Sequence, residues 1–499
     1  MMADQFVDKC TVCKSESLGR YVKSVAAIEA GETLLLEKPL LILPASGDKR
    51  CTNCFRFAQQ YCGKCLISPL CLECERHSDF DCKTLSDVVS SKQQPEIQVE
   101  LLKKYFATYN ILKCLLLYEN PETRDYFEKM LQMESHLDKR RNTAVWKDHN
   151  RAVIQPLIKS NIVKRLQLAT RCNEEFLQHI CGIWDVNSYE IRAPDSEGMR
   201  ALYLNASMLA HNCIPNANQA IDDQYRIKIY ANRDIDKDEM VTISYTNVLM
   251  GTDDRRNFLR EGKYFHCVCA RCEDPTELES HMSTLICNKC ATNKQEGYIL
   301  KIDPKTWKCS NCQHCLKTEQ IENILEKVKE EVFHAQDDIR HLEYLLTKLT
   351  TLLHKNHYII VDVKQNIANM LRTIIRNSLQ RPGRQLYERK IRLCQELVVL
   401  LHIIQPGISR LKAIALYEMA IASAELYRLR FGEDEISAQE LQEYLRKCEA
   451  MYRESMRLLL YEPPETPEGQ LVKSIISELR DLRSDIQILD NPLPEHDDE

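Results

Sequence analysis

The sequence predicts an α+β multidomain protein in which strand-rich, helical and cysteine-rich segments follow one another. Alternating apolar residues bounded by turn residues occur in 17–43 and again in 186–247. Apolar residues recur at helical spacing in 97–185 and through most of 319–488. The 23 cysteines fall mainly into short clusters between these segments. With 499 residues, the chain is too long for a single core and indicates two to four domains.

The first strand-rich segment begins at Gly19 and Arg20. Apolar and polar residues alternate through 19–25, a turn follows at 29–32, and a second strand is predicted at 33–37. In the second strand-rich segment, 226–231 and 240–245 have the same pattern and predict two further strands.

A cysteine-rich segment follows the first strands. It offers eight potential metal ligands in four close pairs: Cys51, Cys54, Cys62, Cys65, Cys71, Cys74, His77 and Cys82. Two ligands on one tight turn can reach one metal without long-range order, so eight ligands predict two zinc ions. We expect an interleaved arrangement, first pair with third and second with fourth, although the spacing leaves other pairings open. Clustered free cysteines in a core are the alternative interpretation.

Two more cysteine clusters lie downstream. Cys267, Cys269 and Cys272 supply three thiolates, and Cys213, about fifty residues earlier, is the expected fourth ligand of a tetrahedral zinc site. Cys287, Cys290, Cys309 and Cys312 have the spacing of a zinc ribbon. All four predicted zinc sites are filled by protein ligands and therefore have a structural role.

Charge and composition limit the compartment and the partners. No signal peptide or membrane-spanning stretch is evident, so we expect an intracellular protein, cytoplasmic or nuclear, with reduced thiols. A net charge of −6 makes direct nucleic-acid binding an unlikely function. The helices of 319–488 are broken at Pro382, Pro406 and Gly432 and predict a bundle or a tetratricopeptide-like array.

These pieces together resemble the SET-and-MYND (SMYD) proteins over residues 17–275. The resemblance rests on Gly-Arg at 19–20, the cysteine-rich insert, His-Asn-Cys-x-Pro-Asn at 211–216, Ile-Ser-Tyr at 243–245 and the cysteine triplet. The ribbon and the motifs at 356–358, 406–411 and 460–463 are similar to the arthropod-restricted branch. The implied domains are N-terminal SET strands 1–48, a MYND-type zinc module 49–84, a helical SET insert 85–185, a C-terminal SET core 186–248, a post-SET zinc segment 249–275, a zinc ribbon-like segment 276–318 and a C-terminal helical domain 319–499.

The resemblance implies an S-adenosylmethionine-dependent protein-lysine N-methyltransferase. Its substrate would be a histone or another protein, and its role would lie in transcription and chromatin. Tyr245 would be the catalytic hydroxyl at the reacting methyl. The cofactor would meet Gly19, Arg20, Asn187, Ala210, His211 and Phe265.

The chain departs from the family pattern in three places: two favour weakened catalysis, and the third would trim the binding face of the zinc module. Ala210 stands where the family has an asparagine, which removes hydrogen bonds worth about 1–3 kcal/mol, or roughly ten- to a hundredfold in affinity. Lys263 stands where the family often has an aromatic channel residue, and the zinc module is compact between Cys71 and Cys82. The alternative function is therefore a catalytically weak or inactive adaptor that binds corepressor or proline-rich peptide partners.

Overall fold

The computed structural model describes residues 5–16, 18–45, 49–92, 95–192, 194, 198–378 and 381–490. Within these residues, no helix is both long enough and apolar enough to cross a membrane. Strand-rich and helical regions alternate along the chain in the predicted order.

The N-terminal region forms four strands: β1 Cys10–Ser15, β2 Gly19–Ser24, β3 Thr33–Glu37 and β4 Leu41–Pro44. The two predicted strands are confirmed as β2 and β3. β1 was not predicted, because it is an edge strand with no buried residue and therefore lacks a clear apolar alternation. It pairs antiparallel with β2, so that Ser15 faces Gly19 across a tight hairpin.

The cysteine-rich segment has little regular structure. Two short antiparallel strands, β5 Gln60–Tyr61 and β6 Pro69–Leu70, precede helix α1 Asp79–Ser90, whose first turn is capped by the Ser78 hydroxyl. The segment is not isolated, because Ile67 and Leu70 share a core with the helical insert that follows. Tyr109 of that insert donates a hydrogen bond to Ser68 at 3.0 Å.

The predicted helical insert contains α2 Val99–Lys104, α3 Ala107–Glu119, α4 Arg124–Met130, α5 Leu137–Arg140, α6 Ala144–His149, α7 Gln155–Lys159 and α8 Glu174–Asn187. Cys114 and Cys181 are core residues of α3 and α8, as their apolar surroundings in the sequence indicate. The Trp184 indole donates a hydrogen bond to Cys114 Sγ at 2.9 Å and ties the two helices together.

The second strand-rich region supplies β7 Tyr189–Arg192, β8 Gly198–Leu202, β9 Ala210–His211, β10 Ala217–Ile221, β11 Ile227–Ala231 and β12 Met240–Ile243. These strands combine with the N-terminal ones in three sheets, ordered β1-β2-β12-β9, β10-β11-β3 and β4-β8-β7. The two strand-rich segments therefore form one unit, and the cysteine-rich and helical segments are inserted into it. In the first sheet, β9 runs parallel to β12 and places His211 beside Ile243.

Short elements follow the last of these strands: α9 Thr252–Gly262, α10 Ala270–Glu273, β13 Leu285–Ile286, α11 Asn288–Thr292, β14 Tyr298–Asp303, β15 Thr306–Cys309 and β16 Cys315–Lys317. The four strands β13 to β16 form one antiparallel sheet in chain order. This sheet carries the predicted ribbon.

The C-terminal region is helical, as predicted: α12 Thr318–Ala335, α13 Ile339–Leu349, α14 Tyr358–Asn377, α15 Arg384–Ile404, α16 Arg410–Gly432, α17 Ala438–Leu459 and α18 Pro467–Asp490. Each helix packs on its successor in the chain. Four of them, α13, α14, α16 and α17, begin at a residue whose side chain caps the first turn. In α17 the Ser437 hydroxyl accepts from the Glu440 main chain, while the Glu440 carboxylate accepts from the Ser437 main chain.

Two loops of the helical region dock on the β10–β11 face of the strand unit. Tyr461 stacks on Tyr230 with ring centres 5.2 Å apart, and the Tyr230 hydroxyl donates to Glu462 at 3.3 Å. Gly407 has a φ of +84°, and a Cβ at this position would lie 2.1 Å from the main-chain oxygen of Asn232. The motifs at 406–411 and 460–463 are therefore interdomain contacts.

Candidate functional site

Four thiols lie close together in the structure, although one of them is more than fifty residues before the other three in the chain. The Sγ atoms of Cys213, Cys267, Cys269 and Cys272 all lie within 4.8 Å of one another, and Cys213 Sγ is 3.9 Å from Cys267 Sγ and 3.5 Å from Cys272 Sγ. A disulfide would require about 2.05 Å. Four thiolates at about 2.3 Å from zinc form a tetrahedron with edges of about 3.8 Å. These four residues, called here the cleft thiol group, therefore fit zinc.

Two buried arginines support the cleft thiol group. The Arg255 guanidinium donates to Cys213 Sγ at 3.3 Å and to Cys272 Sγ at 3.5 Å, and it also bonds Glu277 at 3.0 Å. Burial alone would raise the pKa of the Glu277 carboxyl, but Arg271 and Arg255 together hold that pKa below its usual value. A zinc ion with four thiolates carries two negative charges, and these guanidiniums offset them. Sequence reasoning missed this network because nothing in the local pattern distinguishes Arg255 from a surface arginine.

His211 connects the thiols to the cleft beside them. Its Nδ1 accepts a hydrogen bond from the Tyr245 main-chain N–H at 2.9 Å, so its Nε2 carries the proton and faces Cys213 Sγ at 3.3 Å. Burial lowers the pKa of His211 to about 4, which keeps the ring neutral. Both ring nitrogens are engaged, so only the main chain of His211 is free for the adenine contact expected from the sequence.

Three of the predicted site residues form one aromatic wall. The His211 ring lies 5.2 Å from that of Tyr245 and 6.0 Å from that of Phe265. The Tyr245 hydroxyl donates to the main-chain oxygen of Leu209, and burial raises the pKa of this phenol well above its usual value. Tyr245 is therefore protonated at physiological pH and does not act as a base. Because its only hydrogen is donated to Leu209, its oxygen lone pairs are what it can present to a ligand.

The Gly19–Arg20 turn lies at the same end of the sheet. β2 pairs antiparallel with β12, Val22 opposite Val241, so β2 begins near the end of β12 that Tyr245 follows. Gly19 has a φ of +67°, and the space beside its Cα is open. Burial lowers the pKa of Arg20, and no carboxylate lies within ion-pair distance of its guanidinium among the described residues. A half-buried cation beside open space suits an anionic ligand.

Asn187 reaches this cleft from the end of α8. Its amide donates to the main-chain oxygens of Glu134 and Ile183, each at 2.8 Å, while Arg20 donates to the oxygen of Gln132 at 3.5 Å. The loop at 132–136 therefore links Arg20 and Asn187. No sequence pattern indicated this loop, because it contributes through main-chain carbonyls.

Lys263 projects into the same cleft. Its Nζ donates to the main-chain oxygen of Val186 at 2.5 Å and lies 5.7 Å from the centre of the Tyr245 ring. The neighbouring residue is fixed from the helical insert, since Lys139 donates to the Tyr264 oxygen at 2.9 Å and the His136 ring packs on that of Tyr264. The Lys263 ammonium therefore lies beside the aromatic wall and is held there by the Val186 carbonyl.

The structure brings the other predicted metal ligands together in three further groups: Cys51, Cys54, Cys71 and Cys74; Cys62, Cys65, His77 and Cys82; and Cys287, Cys290, Cys309 and Cys312. The first two groups are interleaved along the chain, as expected. Ligand atoms lie 3.5–3.7 Å apart in the pairs Cys54–Cys71, Cys62–Cys82, Cys65–His77, Cys287–Cys312 and Cys290–Cys309. These spacings also fit tetrahedral zinc.

Comparison with known proteins identifies the strand unit. Residues 19–246 match the SET domain family. This span of the chain is a SET domain.

Three relatives extend the comparison. The chain is 24% identical to the SET domain-containing protein SmydA-8, isoform B, of Drosophila melanogaster, over 71% of this chain and 79% of the relative. It is 26% identical to histone-lysine N-methyltransferase ASHR1 of Arabidopsis thaliana, over 67% and 68%. It is 25% identical to human histone-lysine N-methyltransferase SMYD3, over 51% and 59%. The predicted resemblance to SMYD proteins, including the arthropod branch, is confirmed.

Ala210 is one of the two departures at the cleft, and it has no polar side chain. Nearby, the Asn212 side-chain oxygen is engaged, since it accepts from the Ile214 main chain at 2.9 Å. The Asn212 oxygen is thus used in a local turn. A ligand at this edge of the SET domain must rely on main-chain groups of 210–211.

Proposed function

We propose that this chain is an S-adenosylmethionine-dependent protein-lysine N-methyltransferase of the SMYD type. The observation that supports the proposal best is that His211 and Tyr245 of the SET domain meet Phe265, with Arg20 at the same end of the sheet. The relatives named as histone-lysine N-methyltransferases agree with it. We place its action inside the cell, on a protein lysine in the nucleus or cytoplasm, with a role in transcription and chromatin.

The side chains of the cleft suit such a reaction. The cofactor would supply an activated methyl group, and the protein must align the acceptor amine and remove water from it. Arg20 would hold the carboxylate of the cofactor, beside the open space at Gly19, and Asn187 and the main chain of Ala210 would bind other polar atoms. Phe265 would cover the site. Tyr245, with its hydrogen donated to Leu209, would present its hydroxyl oxygen to the transferred methyl group.

Calorimetric titration with S-adenosylmethionine tests cofactor binding, and absence of binding at millimolar concentration would contradict the proposal.

Tritium transfer to purified core histones by wild type and by Tyr245→Phe tests the catalytic role of Tyr245. We expect at least a tenfold loss of rate in Tyr245→Phe. Tyr203→Phe is the matched control, because the Tyr203 hydroxyl also donates to a carbonyl, that of Tyr225 at 2.6 Å, but lies in the core. Equal rates for the two variants would remove Tyr245 from the mechanism.

A second function is favoured by the surface of the zinc module. Phe57 and Leu72 of this module expose 56% and 73% of their area and offer apolar surface to a partner. We propose that this face binds a partner segment, proline-rich or from a corepressor, whether or not the SET domain is active. Phe57→Ser with Leu72→Ser should abolish capture of a proline-rich peptide without changing the zinc content.

A further inference from the structure

The side chain of Lys263 occupies a position that a methyl acceptor would need. Its Nζ lies between the main chain of Val186, next to Asn187, and the ring of Tyr245. Among the described residues, no carboxylate lies within ion-pair distance of this amine. A lysine from any bound protein must bring the same functional group to the same aromatic wall. The chain itself thus supplies a primary amine there.

The segment that carries Lys263 is held in place on both sides. The Lys263 main chain caps α9 by donating to the Leu259 oxygen at 2.9 Å, and Phe265 lies two residues later on the His211 ring. Lys139 fixes the intervening Tyr264 from the helical insert. The amine is therefore presented by an ordered backbone, and only the long side chain needs to turn toward a donor.

We propose that Lys263 is a methylation site, modified in cis by the SET domain whose cleft it lines; this inference rests on the proposed function. The free-base Nζ would attack the sulfonium methyl of S-adenosylmethionine. The N–CH3 bond forms as the S–CH3 bond breaks, and the electron pair stays on sulfur to give S-adenosylhomocysteine. The methylated ammonium then loses its proton to solvent. No oxidant or further reactant is needed.

The electrostatic surroundings make the amine available for this step. Burial, followed by repulsion from Arg200, lowers the pKa of Lys263 to about 8, although Asp185 and Glu190 oppose this. At pH 7.5, about a quarter of such amines are uncharged, against roughly a thousandth at an ordinary lysine pKa of about 10.4. Tyr245 and His136 also face the segment, but the first is protonated and burial lowers the pKa of the second, so neither adds charge at this pH.

The experiment uses the full chain with its zinc, incubated with S-adenosylmethionine, and peptide mass spectrometry of Lys263. We expect a gain of one methyl group at Lys263, with a rate per molecule independent of protein concentration. The rate should rise about tenfold from pH 6 to 7 and level off above pH 8, because the free base carries the reaction. Lys139, exposed and close in space, is the internal control and should remain unmodified. Lys263→Arg should show no methylation at that position.

Four outcomes would overturn the proposal. If Lys263 gains no mass in a protein that calorimetry shows to bind the cofactor, the proposal is refuted and the proposed function stands. A rate per molecule that increases in proportion to protein concentration refutes transfer in cis. Absence of cofactor binding removes the inference and the proposed function together. Equal methylation of Lys139 and Lys263 would indicate unspecific chemical transfer and would also overturn it.

Discussion

Two of the three four-cysteine groups found among the described residues have the same ligand chemistry and different surroundings. The cleft thiol group is backed by Arg255 and adjoins His211, whereas the ribbon group of Cys287, Cys290, Cys309 and Cys312 has one exposed ligand, Cys312. The first group joins two distant segments of the SET region, while the second closes a local hairpin sheet. The same metal chemistry therefore positions a cleft in one place and stabilises a small module in the other.

The largest expected difference between the two groups follows from removing one ligand. Cys213→Ser should reduce the zinc content from four ions to three, disorder 263–275 and abolish cofactor binding, because a structural zinc contributes about 10–16 kcal/mol. Metal analysis, hydrogen exchange and calorimetry measure the three effects.

The control for this change is Cys290→Ser in the ribbon, which should also lose one zinc but keep cofactor affinity. If Cys213→Ser retained four zinc ions and the protection of 263–275, the assignment of the cleft thiol group would be wrong. If Cys290→Ser abolished cofactor binding too, the two groups would not differ in function.

Removing the arginine that distinguishes the two groups should have the next largest effect. Arg255→Met leaves Glu277 and the thiolates without one buried guanidinium, so unfolding in urea should become easier by about 3–5 kcal/mol. Arg260→Met, on the exposed side of the same helix, should change stability by less than about 0.5 kcal/mol. Equal stability of the two arginine variants would contradict the network.

Restoring a polar side chain beside the cleft thiol group should strengthen ligand binding without affecting the metal. Ala210→Asn is expected to tighten S-adenosylmethionine binding by roughly ten- to a hundredfold, which corresponds to about 1–3 kcal/mol. Ala291→Asn makes the same change beside ribbon ligand Cys290 and should leave the affinity unchanged. Calorimetric titration of both variants with S-adenosylmethionine measures these affinities. An unchanged affinity in Ala210→Asn would show that main-chain groups already make the hydrogen bonds that the ligand needs.

The smallest effect concerns the order in which zinc leaves. The ribbon group exposes Cys312, while in the cleft thiol group Cys213, Cys267 and Cys272 are buried. A chromogenic chelator should therefore remove the ribbon zinc before that of the cleft, with cofactor binding intact after the first ion is released. If cofactor binding were lost together with the first zinc ion released, the predicted order of release would be wrong.

Spacing in the sequence predicted the metal groups well, because ligands on tight turns are close in the chain as well as in space. Periodicity likewise predicted β2, β3 and the helical regions. It missed β1, an exposed edge strand, and it gave no role to the loop at 132–136, which acts through carbonyls. That the Asn212 oxygen is engaged by the Ile214 main chain also became evident only in the structure.

The sequence alone determined the ligand sets, the order of the segments and the departures at Ala210 and Lys263, since each is a matter of residue type and spacing. The tertiary structure decided how these residues act on one another. It placed the Lys263 amine against Val186 and Tyr245, engaged both nitrogens of His211, and buried Arg255 beside two thiols. It also showed that the motifs around Gly407 and Tyr461 form interdomain contacts. Such contacts join residues tens or hundreds of positions apart, and local patterns carry no information about which distant side chains will share a buried volume.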